Sequence, residues 1–142
     1  MRVKIEFTEP FCFTTTLAVR IGDINYGGHL GNDKVLSILQ EARLQFLQQW
    51  GFTELDCGGC GLIMADSAIQ YKGEAFYADE LHIHLAIANC TNTSFDILYR
   101  IIVFRDGVEK PIALAKTAML CFDYPSRKII PMPDLLRQKL KP

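Results

Sequence analysis

The chain has 142 residues, 49% of them hydrophobic and 22% charged, with a formal net charge of −1. That length suits one domain, 1–142, with its own core, and the near-neutral charge without a basic cluster argues against nucleic acid as a partner. No apolar run is long enough to span a membrane, and Met1 to Pro10 carries no apolar export block, so the chain reads as soluble and cytoplasmic.

In chain order, Phe11 to Ile21 reads as a first strand, favoured by Thr14, Thr15, Thr16 and Val19. A long helix is expected from Leu30 to Gln49. Val35, Ile38, Leu39, Ala42, Phe46 and Gln49 share one face, while Leu36, Leu44 and Leu47 form a second apolar strip. Lys34, Ser37, Glu41, Gln45 and Gln48 make a polar flank, and Gly51 ends the helix. Apolar on two sides, it is expected to be buried. Strands follow at Leu62 to Lys72, Glu80 to Ala88, Ser94 to Arg105 and Pro111 to Asp123, the last two joined by an Asp106-Gly107 turn. A short helix from Pro133 to Leu140 closes the chain. The order β-α-β-β-β-β plus a tail helix is that of an α+β domain with a sheet wrapped round its long helix. Leu98 and Ile102 lie opposite Ile97 and Ile101, so both sheet faces are partly apolar, and a second subunit is expected to cover one of them.

The five cysteines are expected to be reduced thiols. Cys57-Gly-Gly-Cys60 has C-x-x-C spacing, but it lies among glycines instead of opening a helix and has no second ligand pair. It reads as a loop, with no metal site.

The segment Arg20 to Arg43 places a glycine-broken polar loop directly before the long helix. Asp23, Asn25, His29, Asn32 and Asp33 crowd among Gly22, Gly27, Gly28 and Gly31. Open N–H groups at a helix start suit a carbonyl oxygen that becomes an oxyanion. The same residue types also build ordinary turns, and Asn32 or Asp33 fits an N-cap. Several polar types around one histidine favour a functional loop.

Five segments together resemble the hotdog-fold acyl-CoA thioesterases of the 4-hydroxybenzoyl-CoA thioesterase-like type. They are V-R-I-G-D-I-N-Y-G-G-H-L-G-N-D, the helical Q-E-A-R, Gln70-Tyr71-Lys72, Ala78-Asp79-Glu80-Leu81 and F-D-Y-P-S-R-K-I-I-P-M-P-D. The resemblance implies a dimer with sites between subunits and a pantetheine arm threading to the helix N-terminus. Such enzymes carry D-x-D-x-x-G-H or a near variant, the second acid serving as nucleophile or base. Asn25 stands at that position, and an amide accepts no proton. Other hotdog thioesterases use a carboxylate from the central helix. Glu41 resembles that substitute, on a flank where partial burial is expected to make it a useful base.

The resemblance thus assigns catalysis to Asp23, Asn25, His29 and Glu41, and substrate binding to Tyr26, Gly28, Leu30, Asn32 and Lys72. Glu41 activates water, Asn25 or His29 holds it, and N–H groups near Gly28 to Leu30 receive the carbonyl oxygen. Lys72, Arg105, Arg127 and Lys128 are candidates for the coenzyme A phosphates. Phe46, Trp50, Phe52, Leu62 and Met64 line either an apolar tunnel or ordinary core. The expected partners are a small acyl thioester, on coenzyme A or acyl carrier protein, and further copies in a homodimer or homotetramer; no cofactor beyond the substrate's own coenzyme A is implied. Two other readings stand beside hydrolysis. Gly22-Asp23-Ile24-Asn25 followed by His29 resembles the G-D-x-N-x-x-H signature of hotdog enoyl-CoA hydratases, with Asp23 and His29 carrying the chemistry. Asn25 also fits an acyl-thioester binding protein that has lost its base.

Overall fold

A computed structural model describes residues 1–141. Strand β1 (Phe13–Ala18) leads through a 3₁₀ turn (Ile21–Asp23) to helix α1 (Asn32–Gln48). Strands β2 (Gly61–Tyr71), β3 (Glu80–Ala88), β4 (Ser94–Arg105) and β5 (Val108–Asp123) follow, then a two-residue strand β6 (Lys128–Ile129) and helix α2 (Asp134–Leu140). All pairings are antiparallel, in the order β1-β3-β4-β5-β2, with β6 added to β5. One long helix lies in the concave face of an antiparallel sheet. This is the expected hotdog arrangement.

The first strand is shorter than its threonine-rich sequence suggests, because the chain turns away at Val19 and Arg20 into the 3₁₀ turn. β5 begins earlier than expected. Asp106 and Gly107 both take positive φ, 53° and 76°, so the hairpin is tight and Val108 pairs at once with Arg105. Pro111 sits inside the strand next to a register shift at Ile101/Ile102, which accommodates its missing donor. Gly51 ends α1 with φ of 74°.

The inner face is formed by Leu81, Ile83 and Leu85 of β3, Phe95, Ile97, Tyr99, Ile101 and Val103 of β4, and Ala113, Ala115, Thr117 and Met119 of β5, all buried. Against it α1 sets Val35, Ile38, Leu39, Ala42, Phe46 and Leu47. Arg43 is also inside, 3% exposed. Its Nη1 donates to the Tyr99 hydroxyl at 3.0 Å, that hydroxyl lies 2.8 Å from Thr117 Oγ1, and Arg43 Nε stands 3.6 Å from Glu54 Oε1. Burial pushes the Tyr99 phenol above its ordinary value, so it remains a neutral link in this network.

Two expectations about burial are corrected. Leu47 belongs to the core face, whereas Leu36 and Leu44 are 41% and 39% exposed, so α1 is covered on one side only. The outer sheet face, expected to need a second subunit, is crossed by the chain's own N-terminal segment. The Ile5 N–H donates to Gln70 Oε1 on β2 at 3.2 Å, Phe7 lies under the Arg100 guanidinium, and Phe11 stacks on His84 at 4.5 Å. Leu98 and Ile102, either side of Arg100 on that face, are 7% and 3% exposed. Burial and the neighbouring Arg100 charge hold the His84 imidazole below its ordinary value, which keeps it neutral under the segment.

Candidate functional site

The loop between β1 and α1 is held by its own backbone. The Asn25 N–H donates to the His29 carbonyl at 2.9 Å and the Gly28 N–H to the Asn25 carbonyl at 3.1 Å, with φ of 84° at Gly28. Leu30 donates to Ala75 O at 2.7 Å and Gly31 to Asp23 O at 2.9 Å, which ties the loop to the β2–β3 connection and to the start of α1. A Cβ on Gly31 would stand 2.5 Å from Asp33 Oδ1, the end of a side chain that would have to turn aside, and 3.3 Å from Asn25 Cβ, a tight contact.

Of the N–H groups from Gly28 to Leu30, those of Gly28 and Leu30 are committed within the fold, which leaves that of His29. The loop also offers side chains. The Gly27 N–H donates to Asn25 Oδ1 at 2.9 Å, which engages the amide oxygen and leaves Nδ2 as a donor without a partner among the described residues. His29 Nδ1–H donates to the Leu30 carbonyl at 3.3 Å, leaving Nε2 4.0 Å from Glu74 Oε1. A Cβ on Gly27 would stand 3.2 Å from His29 Nε2 and 3.3 Å from Asn25 Oδ1, so both side chains converge on Gly27.

Asp23 is structural as well as polar: its Oδ2 accepts the Arg20 N–H at 2.9 Å and lies 3.9 Å from Arg20 Nε. It lines a cleft of about 350 Å³ between β1 and α1, with Arg20, Ser37 and Glu41 as polar walls and Leu17, Ala18 and Ile38 as apolar ones. Glu41 Oε2 accepts from Gln45 Nε2 at 3.1 Å, and Gln45 Oε1 accepts the Thr15 hydroxyl, one helical turn beyond the cleft's last lining residue on α1. Glu41 is exposed, so this chain alone does not supply the burial expected of it.

The sequence-predicted residues therefore fall into two groups. Asp23 and Glu41 share the cleft; Asn25 and His29 meet at Gly27, beside the helix start, and line no part of it. Gly31 and Glu41 are ten residues apart on α1, about 15 Å along its axis. Asp23 is bonded to Arg20, and His29 to the Leu30 carbonyl with Glu74 nearby; among the described residues no hydrogen bond joins Asp23 to His29. Tyr26 is exposed at the loop tip, and Asn32 is exposed in the first turn, its carbonyl accepting the Tyr71 hydroxyl at 3.3 Å. Lys72 lies at the loop end of β2 and lines a depression of about 240 Å³ with Glu74, Arg105 and Lys110. Arg105 is engaged by Asp79 at 2.9 Å and by the Glu74 carbonyl at 2.7 Å. Arg127 and Lys128 are at the opposite end of the sheet, where β2 begins, and stand apart from this group.

Ser37 and Arg20 were not foreseen as cleft residues. Ser37 was findable, since it precedes Glu41 by one helical turn on the same flank; nothing in the sequence marked Arg20. Phe46, Phe52 and Leu62 are close-packed core, not tunnel. Cys57 and Cys60 are buried in their loop, the Cys57 N–H donating to Cys60 O at 2.6 Å. Burial, with Cys60 beside it, pushes the Cys57 thiol up to about 12, far from nucleophilic use. Among the described residues, no group of three His, Cys, Asp or Glu side chains is placed to hold a metal ion, and no helix is long and apolar enough to cross a membrane.

A sequence model of the thioesterase-like superfamily matches residues 19–140. The chain belongs to the thioesterase-like superfamily. No curated protein matches this thioesterase-like chain. Among solved structures it is similar to a 1,4-dihydroxy-2-naphthoyl-CoA thioesterase from Synechocystis, at 22% identity and a TM-score of 0.79, over 90% of this chain and 94% of the other. A gentisyl-coenzyme A thioesterase is 21% identical with a TM-score of 0.78, over 91% of this chain and all (100%) of the other. An Asp-to-Asn mutant of 4-hydroxybenzoyl-CoA thioesterase complexed with 4-hydroxybenzoyl-CoA is 17% identical with a TM-score of 0.81, over 91% and 98%. At these identities the similarity establishes the shared hotdog fold.

Proposed function

We propose that this protein hydrolyses an acyl thioester, carried on coenzyme A or acyl carrier protein, at a site to which two subunits contribute. The observation that carries the reading is the cleft. The Glu41 carboxylate stands in it with one neutral partner, Gln45, and among the described residues it has no ion pair, over an apolar wall that suits an acyl group. Glu41 takes a proton from water, the oxygen attacks the thioester carbon, the C–S bond breaks, and the departing thiolate recovers the proton. The Asn25 Nδ2 donates to the carbonyl oxygen as it gains charge, with His29 beside it.

Within one chain these groups are separated along α1. β2 is a long edge strand with one side unpaired, and exposed Leu36, Leu44 and Met64 lie on the same flank. Twofold pairing of two such edges runs the α1 helices antiparallel and sets the Asn25 loop of one subunit toward the Leu36 and Leu44 flank of the other, across α1 from its Glu41 cleft. Lys72 at the loop end of β2, with Lys110, is suited to the phosphates of coenzyme A.

The test is thiol release from a panel of acyl-CoA and acyl carrier protein thioesters. Glu41→Gln keeps size and hydrogen bonding but removes the base, and is expected to lower kcat by about 100-fold or more with thermal stability unchanged. An unchanged kcat would leave Glu41 as a flank residue. Tight binding of the panel without thiol release would favour a binding protein, and loss of enoyl absorbance from crotonyl-CoA would favour a hydratase.

A further inference from the structure

We propose that the hydrogen bond between Thr15 and Gln45 forms the floor of the acyl cleft and restricts the protein to short acyl groups, a proposal that rests on the hydrolase reading above. The inward row of β1 is Phe13, Thr15 and Leu17, half-buried at alternate positions between the exposed Thr14, Thr16 and Ala18. Each meets a different level of α1. Leu17 lines the open cleft together with Ile38 and Glu41. Thr15 donates to Gln45 Oε1, one turn beyond Glu41. Phe13 meets the Phe46 ring edge-on at 5.6 Å, and Phe46 in turn meets Trp50 at 4.9 Å. The gap between β1 and α1 is therefore open at Glu41, bridged at Gln45 and filled with rings beyond.

A thioester carbon placed for water activated by Glu41 has its acyl chain in this gap, because Leu17, Ala18 and Ile38 are the apolar surface the cleft provides. From Glu41 to Gln45 is four residues, about 6 Å along the helix. That depth accepts a butyryl to hexanoyl chain and stops a longer one. Forcing a longer chain past the floor breaks a half-buried Thr–Gln hydrogen bond and covers both polar groups with apolar chain, which costs part of their solvation. Gln45 also donates to Glu41 through its Nε2, so the group that limits chain length also orients the base.

The experiment measures kcat/KM for butyryl-, hexanoyl-, octanoyl- and decanoyl-CoA with the wild type, Gln45→Ala, Thr15→Val and Thr15→Ser. The wild type is expected to fall by about tenfold or more between hexanoyl and octanoyl. Gln45→Ala opens one further turn, up to Phe46, and Thr15→Val releases the glutamine. Both are expected to raise the octanoyl-to-butyryl ratio by about tenfold, a ratio in which any general loss from disturbing Glu41 cancels. Thr15→Ser retains the hydroxyl and the wild-type profile. Equal use of all four chains by the wild type, or an unchanged ratio in both floor variants, overturns the proposal while leaving hydrolysis intact. Absence of hydrolysis on every chain defeats the functional reading instead. Calorimetry with S-alkyl coenzyme A thioethers then decides the cleft: affinity that stops rising at hexyl in the wild type, and continues to octyl in Gln45→Ala, supports the floor. Affinity independent of length, or no binding, rejects it.

Discussion

The Asn25 side chain has two polar ends, and only one of them has a partner among the described residues. Its Oδ1 accepts the Gly27 N–H at 2.9 Å, so Nδ2 is the atom available to a substrate. Asn25→Asp preserves the shape and the bond from Gly27, and a carboxylate beside the uncapped start of α1 is electrostatically tolerated. It has no proton to donate. Turnover is therefore expected to fall by about 100-fold, with unfolding temperature unchanged, if the amide polarises the thioester. A gain in turnover would instead mean that a restored acid acts as base and that the wild type is a weakened enzyme; equal rates would remove position 25 from the chemistry. The loop itself was legible, because glycine, asparagine and histidine at such density mark a chain that must turn among polar groups. Which N–H groups remain free was not legible. The partner of Leu30 is Ala75, and that pairing exists only once the β2–β3 connection is in place.

At the level of the element, the 3.6-residue period of α1 located its core face, and the alternation of Phe95, Ile97, Tyr99, Ile101 and Val103 located that of β4. Periodicity did not decide what lies over the remaining leucines, and it gave no hint that Arg43 points inward. A buried arginine is expressed only by its surroundings: Tyr99 on β4, which is held in turn by Thr117 on β5, and Glu54 on the loop after α1. Arg43→Ala leaves the Tyr99 hydroxyl and the partly buried Glu54 carboxylate without their cation. It is expected to cost about 3 kcal/mol in urea unfolding. Arg43→Met fills the same volume without a charge and should cost clearly less when combined with Glu54→Gln. A loss below about 1 kcal/mol for Arg43→Ala would show that the network is solvated and contributes little.

For the molecule as a whole, chain order was readable but not what covers each surface. Met1 to Phe11 has no periodicity to announce a strap, yet it crosses the outer face and shields Leu98 and Ile102. That removes one argument for a second subunit and leaves a stronger one at the sheet edge. β1 takes the Ser37, Glu41 and Gln45 flank of α1, so Leu36 and Leu44 face the β2 side. There Gln40 reaches Glu54, whose carbonyl receives the Leu62 N–H of β2. The eleven-residue β2 strand has an unpaired side, and Met64, at its bulge, is 40% exposed. Unpaired backbone groups and adjoining apolar side chains are satisfied together by a second copy. Sedimentation velocity is expected to show a dimer, or a pair of dimers, at micromolar concentration. Leu36→Glu combined with Leu44→Glu places two carboxylates on that flank and is expected to give a folded monomer with native circular dichroism. If the site is shared, that monomer loses thiol release although Asn25, His29 and Glu41 are untouched. A variant that is monomeric and fully active would put the whole site within one chain; a wild type that sediments as a monomer would reject both the dimer and the shared site.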